Sequence, residues 1–156
     1  MELRRIVLIE DSPNDARLTL TAFRQSGMAN EVVWLKDGQE AVDYLFRTGA
    51  HADRPPGHPA VVLLDIKLPK LDGLQVLEQI KADPELRMVP VVMLTSSNQE
   101  GDLSRSYGLG VNAYVVKPVG FPEFVQALKE LGLFWAVVNC PPPPPTPVPR
   151  PVRGAT

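Results

Sequence analysis

The stretch VVLLDIKLPKLDG, residues 61–73, decides the fold. Val61–Leu64 is wholly apolar and too short for a helix, as a parallel strand covered on both faces requires. It runs straight into a carboxylate, Asp65. Pro69 and Gly73 then punctuate the loop beyond it. An acid at the tip of a buried strand fits an open α/β sheet, where functional groups gather at the carboxyl ends of the strands.

The same pattern repeats outward from this stretch. Ile6–Ile9 (IVLI) reads as a first strand. SPND comes next, with Ser12 as N-cap, Pro13 at the first helical position and Asp15 as the acidic third residue. Ala16, Leu20 and Phe23 recur at helical spacing until Gly27 stops the run. Val32–Leu35 is a second strand, and Asp37 caps a helix to about Thr48. GAHADRPPGHPA is a loop, in which His51 and His58 are expected to be solvated rather than metal-bound. After the quoted strand, GLQVLEQIKA (73–82) is helical. VVML (91–94) and AYVV (113–116) are the fourth and fifth strands, with a weakly amphipathic helix over about 98–109 between them. A last helix starts near Pro122 and reaches at least Leu131. Five alternations predict right-handed crossovers and a parallel sheet with helices on both faces.

Length and composition agree with this. The 156 residues suffice for one domain with a substantial core, and 44% hydrophobic with 22% charged residues is ordinary for a globular protein. A net charge of −2 gives no general pull toward nucleic acid or anionic membrane. No apolar run approaches a membrane span, the N-terminus lacks a signal-peptide core, and the single cysteine, Cys140, excludes an internal disulfide. A cytoplasmic protein is expected. The domain is assigned to residues 1–139. Residues 140–156 form a proline-rich tail, expected to be polyproline II or disordered.

The residues at the carboxyl end of each strand give the candidate site. Strand one ends in Glu10-Asp11, strand three in Asp65, strand four in Thr95-Ser96 and strand five in Lys117-Pro118. Three carboxylates, a hydroxyl and an ammonium therefore share one rim. Acids so crowded repel, and some are expected to have raised pKa values. A hard divalent cation relieves that repulsion, and few carboxylates plus a carbonyl and waters suit Mg²⁺ better than a Ca²⁺ cage.

With IEDSPND, LLDIKLPKLDG, LTS and YVVKP at these spacings, the chain resembles the receiver domains of two-component response regulators over about residues 4–135. The resemblance implies a flavodoxin-like (βα)5 three-layer sandwich with sheet order 2-1-3-4-5. It implies that Asp65 is the phosphoacceptor, attacking a phosphohistidine on a sensor histidine kinase. Asp11, Asp65 and the Lys67 carbonyl would be Mg²⁺ ligands, with Glu10 holding metal waters. Lys117 would pair with Asp65 and then with a phosphoryl oxygen. Thr95 and Tyr114 match the switch pair: the Thr95 hydroxyl is drawn to the phosphoryl group and Tyr114 moves inward. Lys117-Pro118 matches a cis peptide. Leu68 is expected to bury beneath the acid loop, Ser96 to leave room for the phosphoryl group, and Lys67 and Ser97 to tune its lifetime. Such a protein is a signalling phosphoacceptor, catalysing its own phosphorylation and dephosphorylation, rather than an enzyme with a separate substrate.

Output points to protein partners. Some twenty residues lie beyond the last helix, too few for a helix-turn-helix, so direct DNA binding is not expected. Leu133–Val138 is apolar all round and must cover something. Either it folds back on its own sheet or, the preferred reading, it forms a homodimer contact through Phe134 and Trp135, with Tyr114 near it. The RPP loop, IKADPELRMVPVVMLTSS and SYGLGVNAYVVKPV further resemble stand-alone receivers paired with bacterial phytochromes. Two other readings compete. A flavodoxin-like cofactor binder conflicts with the acids of EDSPND, which would repel a phosphate. A pseudo-receiver without phosphotransfer conflicts with a complete acidic pocket.

Overall fold

A computed structural model of the chain describes residues 4–25, 27, 30–117, 123, 126 and 130. Five strands form one parallel sheet: β1 (Ile6–Ile9), β2 (Val32–Leu35), β3 (Val61–Leu64), β4 (Val91–Thr95) and β5 (Ala113–Val116). Their order is β2-β1-β3-β4-β5, the expected flavodoxin-like arrangement. Period-two alternation divides the core. Ile6, Leu8, Val61, Leu63, Val92 and Leu94 face one side, where Ala16, Ala22 and Phe23 of α1 (Pro13–Gln25) cover them. Val7, Ile9, Val62, Leu64, Val91 and Met93 face the other, beneath α2 (Gly38–Phe46) and α3 (Gly73–Ala82).

Local chemistry sets the helix ends. The Ser12 hydroxyl accepts from the Asp15 amide at 3.3 Å and opens α1. Asp37 caps α2 by accepting from the Glu40 amide at 2.7 Å. A reciprocal pair between Asp72 and Gln75, each bond 2.9 Å, starts α3. The fourth helix, α4 (Glu100–Gly108), begins later than expected, because Ser97 and Gln99 are held in an extended loop. It buries little, with Ser106 its one fully covered residue.

The loop before β3 is more ordered than a plain connection. It contains a 3₁₀ turn (Gly49–His51), and Arg54 anchors it. The Arg54 guanidinium donates to the carbonyls of Tyr44 (2.5 Å), Leu45 (3.3 Å) and Pro55 (2.7 Å), and lies 4.4 Å from the Tyr44 ring centroid. Arg5, at the foot of β1, reaches the Gly57 carbonyl from the other side. The histidines are accordingly half-buried, not solvated: His51 meets Tyr44 edge-on at 5.3 Å and Glu40 at 3.5 Å.

In the expected last helix, Glu123, Gln126 and Glu130 are helical and exposed, and Gln126 donates to Glu130 at 3.1 Å. Pro118, where a cis peptide is expected, Phe134, Trp135 and the tail lie outside the described residues. Among those described, no helix is long and apolar enough to cross a membrane.

Candidate functional site

Strand register brings the acids together. Ile9 pairs with both Leu35 and Leu64, so Glu10 and Asp65 leave the sheet side by side. The ladder continues one residue further, with the Asp65 amide donating to Ile9 O at 3.1 Å and the Lys117 amide to Thr95 O at 2.8 Å. Trp34 of β2 adds a side-chain brace: its indole donates to the Glu10 carbonyl at 2.7 Å. Gly73 closes the loop after Asp65, its amide donating to Ile66 O at 2.7 Å. A Cβ at this position would fall 2.0 Å from the Asp65 carbonyl oxygen, so only glycine fits. Leu68 is half-buried against the core beside that loop rather than fully covered.

Glu10, Asp11 and Asp65 each offer a carboxylate oxygen, all within 4.8 Å of one another. Glu10 and Asp65 are buried, at 2% and 7% exposure, and Asp11 faces solvent. A set of hard oxygen donors, open on one side, fits a small divalent cation. The sequence does not reveal how Lys117 is held. Its ammonium donates to Glu10 Oε1, to Asp15 Oδ2 at 3.0 Å and to Asp65 Oδ2 at 3.1 Å. From sequence, Asp15 has a role only at the helix start. The available signal is stoichiometric, since an ammonium has three donors and the resemblance names one partner.

Burial pushes the Glu10 carboxyl up to about 7, against the bond from Lys117, and the Asp65 charge adds to the rise. The expected upward shift is therefore present at Glu10, with desolvation rather than crowding as its main cause. For Lys117, burial alone would favour the neutral amine. The bond to Glu10, the charge of Asp65 and the bond to Asp15 outweigh that and hold its pKa above the ordinary lysine value. Three carboxylates thus keep the Lys117 ammonium charged.

Thr95 and Tyr114, the pair expected to switch, are linked through one residue, Ser97. Thr95 is fully buried, and its Oγ1 accepts from the Ser97 amide at 3.3 Å. The half-buried Tyr114 donates from its hydroxyl to the Ser97 carbonyl at 2.8 Å. Tyr114 thus already engages the β4–α4 loop. Ser97 is buried with its hydroxyl committed to Asp102 at 2.6 Å, whereas Ser96 and Lys67 are exposed. The Lys67 amide donates to Asp65 Oδ1 at 3.3 Å.

Residues 6–129 match the response regulator receiver domain. The chain belongs to that family. This receiver domain is similar to the bacteriophytochrome response regulator AtBRR, with 60% identity, a TM-score of 0.74 and coverage of 89% of this chain and 99% of that one. The phosphorylated cyanobacterial phytochrome response regulator RcpA superposes with a TM-score of 0.84 at 39% identity, covering 91% of this chain and 100% of the other. The Mn²⁺-bound form of Rcp1 gives 0.82 at 36%, covering 90% and 99%. The curated Rcp1 of Synechocystis sp. is 38% identical over 130 residues, 83% of this chain and 87% of Rcp1. The receiver domain is thus related to phytochrome response regulators, and its carboxylate cluster is of the kind that takes a divalent metal.

Proposed function

We propose that this receiver domain accepts a phosphoryl group from a sensor histidine kinase onto Asp65, in a Mg²⁺-dependent reaction in the cytoplasm, and signals through protein contacts. The observation that carries the reading is the buried Asp65 set 3.1 Å from Lys117 and within 4.8 Å of the Glu10 and Asp11 carboxylates. An Asp65 carboxylate oxygen attacks the phosphorus of the phosphohistidine. A P–O bond forms, the P–N bond breaks, and the histidine nitrogen keeps that electron pair and is protonated. Lys117 keeps a donor aimed at the group that gains charge. Exposed Ser96 gives the phosphoryl group room. Asp11, Asp65 and the Lys67 carbonyl would hold the metal, with Glu10 behind them. When bound, it would neutralise charge spreading over the phosphoryl oxygens. In this reading the protein catalyses changes to its own phosphorylation and is not an enzyme acting on a separate substrate.

Similarity to AtBRR and RcpA supports a phytochrome-type kinase as the donor. We assign the receiver to residues 1–139 with a proline-rich tail after it. A homodimer formed through the last helix, with Phe134, Trp135 and Tyr114 at the contact, is the output we favour.

Incubation with acetyl phosphate and Mg²⁺, followed by intact-protein mass measurement, tests the chemistry. Wild-type protein should gain one alkali-labile phosphoryl group and Asp65→Asn none. Equal labelling of the two would overturn the assignment.

A further inference from the structure

An ammonium has three N–H donors and no acceptor, and in this structure every donor of Lys117 has its own carboxylate. Only one of these, Asp65, is the reacting group. The other two stand on fixed supports. Glu10 leaves the end of β1 almost wholly buried, and its second oxygen accepts from the Ser12 amide at 3.2 Å. Asp15 sits in the first turn of α1. Its amide donates to the Ser12 hydroxyl at 3.3 Å, and its carbonyl accepts from the Thr19 hydroxyl at 2.9 Å. Ser12 therefore braces both supports.

A plain reading makes Asp15 a favourable charge at a helix start. Two features exceed that. Its Oδ2 is directed at an ammonium contributed by the end of β5, 102 residues away, on a lysine whose side chain is only 12% exposed. The Asp15 side chain is itself 46% exposed, so the pair adds little to stability. Its value lies in direction. A lysine head on a four-carbon stem has many rotamers, and a single contact would leave it free to swing.

We propose that Asp15 is a positioning residue for Lys117. With Glu10 it occupies two donors of the ammonium, so that the third stays aimed at Asp65 and can pass from the carboxylate to a phosphoryl oxygen without the head moving. This rests on Asp65 being the phosphoacceptor. It goes further by giving Lys117 a tripod, one leg of which no contact with the reacting group would reveal. Asparagine at position 15 keeps an acceptor oxygen and loses the charge, whereas alanine loses both. The tripod therefore predicts that Asp15→Asn retains much of the function and Asp15→Ala does not.

The test compares wild type, Asp15→Ala and Asp15→Asn in two measurements. In ¹⁵N-lysine NMR, the Lys117 ammonium of wild type should give a resolved, slowly exchanging signal, assigned by its loss in Lys117→Met. Asp15→Asn should keep that signal and Asp15→Ala broaden it. Phosphoryl uptake from acetyl phosphate with Mg²⁺ should slow about tenfold in Asp15→Ala and less than about threefold in Asp15→Asn. Thermal melts by circular dichroism establish that each variant is folded at the assay temperature. Asp15→Ser replaces the alanine variant if it is not. Uptake in the alanine or serine variant at the wild-type rate, with wild type labelled normally, overturns the inference alone. Absence of label from wild type overturns the Asp65 chemistry and the inference with it.

Discussion

At the scale of single residues, Glu10 makes the sharpest commitment. Its carboxyl is pushed from 4.5 up to about 7 in the folded protein, so between those values the fold holds a proton that the unfolded chain releases. The stability this group contributes is complete below 4.5 and is lost as pH rises through about 7. In metal-free protein, Glu10→Gln should remove that component of the pH dependence. Urea midpoints of the two proteins at about pH 5 and about pH 7.5 check this, and parallel changes would refute it. That Glu10, Asp11, Asp65, Thr95 and Lys117 share one rim was legible in the sequence because each ends an apolar strand or lies within two residues of its end. Asp15, Trp34 and Asp102 were not. Each acts on a residue of another element, and no local pattern records such a partner.

Among the elements, the β3–α3 connection makes a strict steric demand. Gly73 packs where a methyl group would meet the Asp65 carbonyl oxygen at 2.0 Å and the Ile66 Cα at 2.7 Å. Both neighbours are backbone, so neither can rotate away. Gly73→Ala should cost about 2 kcal/mol or more, and it should slow phosphoryl uptake by displacing Asp65. Chemical denaturation and acetyl phosphate labelling measure the two effects. A stable variant with wild-type uptake would contradict the packing argument. The sequence marked Gly73 as part of this loop and placed α3 correctly. It could not show that the helix start presses against the acid's own backbone, because that approach depends on how the crossover returns over the sheet. The late start of α4 escaped for a similar reason: Ser97 and Asp102 hold the preceding loop by a side-chain bond.

For the molecule as a whole, the alternation of short apolar strands with helices was enough to anticipate a parallel sheet covered on both faces, whereas its strand order came only from the resemblance to receiver domains. The two residues proposed to switch, Thr95 and Tyr114, meet at Ser97. Thr95 grips Ser97 from inside the sheet, and Tyr114 grips it from β5. Leu103 and Tyr107 of α4 and Val116 of β5 leave large apolar side chains exposed nearby. A phosphoryl group that draws the Thr95 hydroxyl away would release the Ser97 amide and change how Tyr114 is held. Thr95→Ala should therefore still be labelled at Asp65 yet lose phosphorylation-dependent association. Light scattering at high micromolar concentration distinguishes this from the alternatives. A wild-type monomer with and without phosphate would overturn the dimer, and unchanged assembly in Thr95→Ala would overturn the coupling. At the opposite end of the sheet, two arginines, Arg54 and Arg5, tie the loop that feeds β3 to the end of α2 and to the foot of β1. The edge of the sheet away from the acids is therefore cross-braced by side chains as well as by the strand ladder.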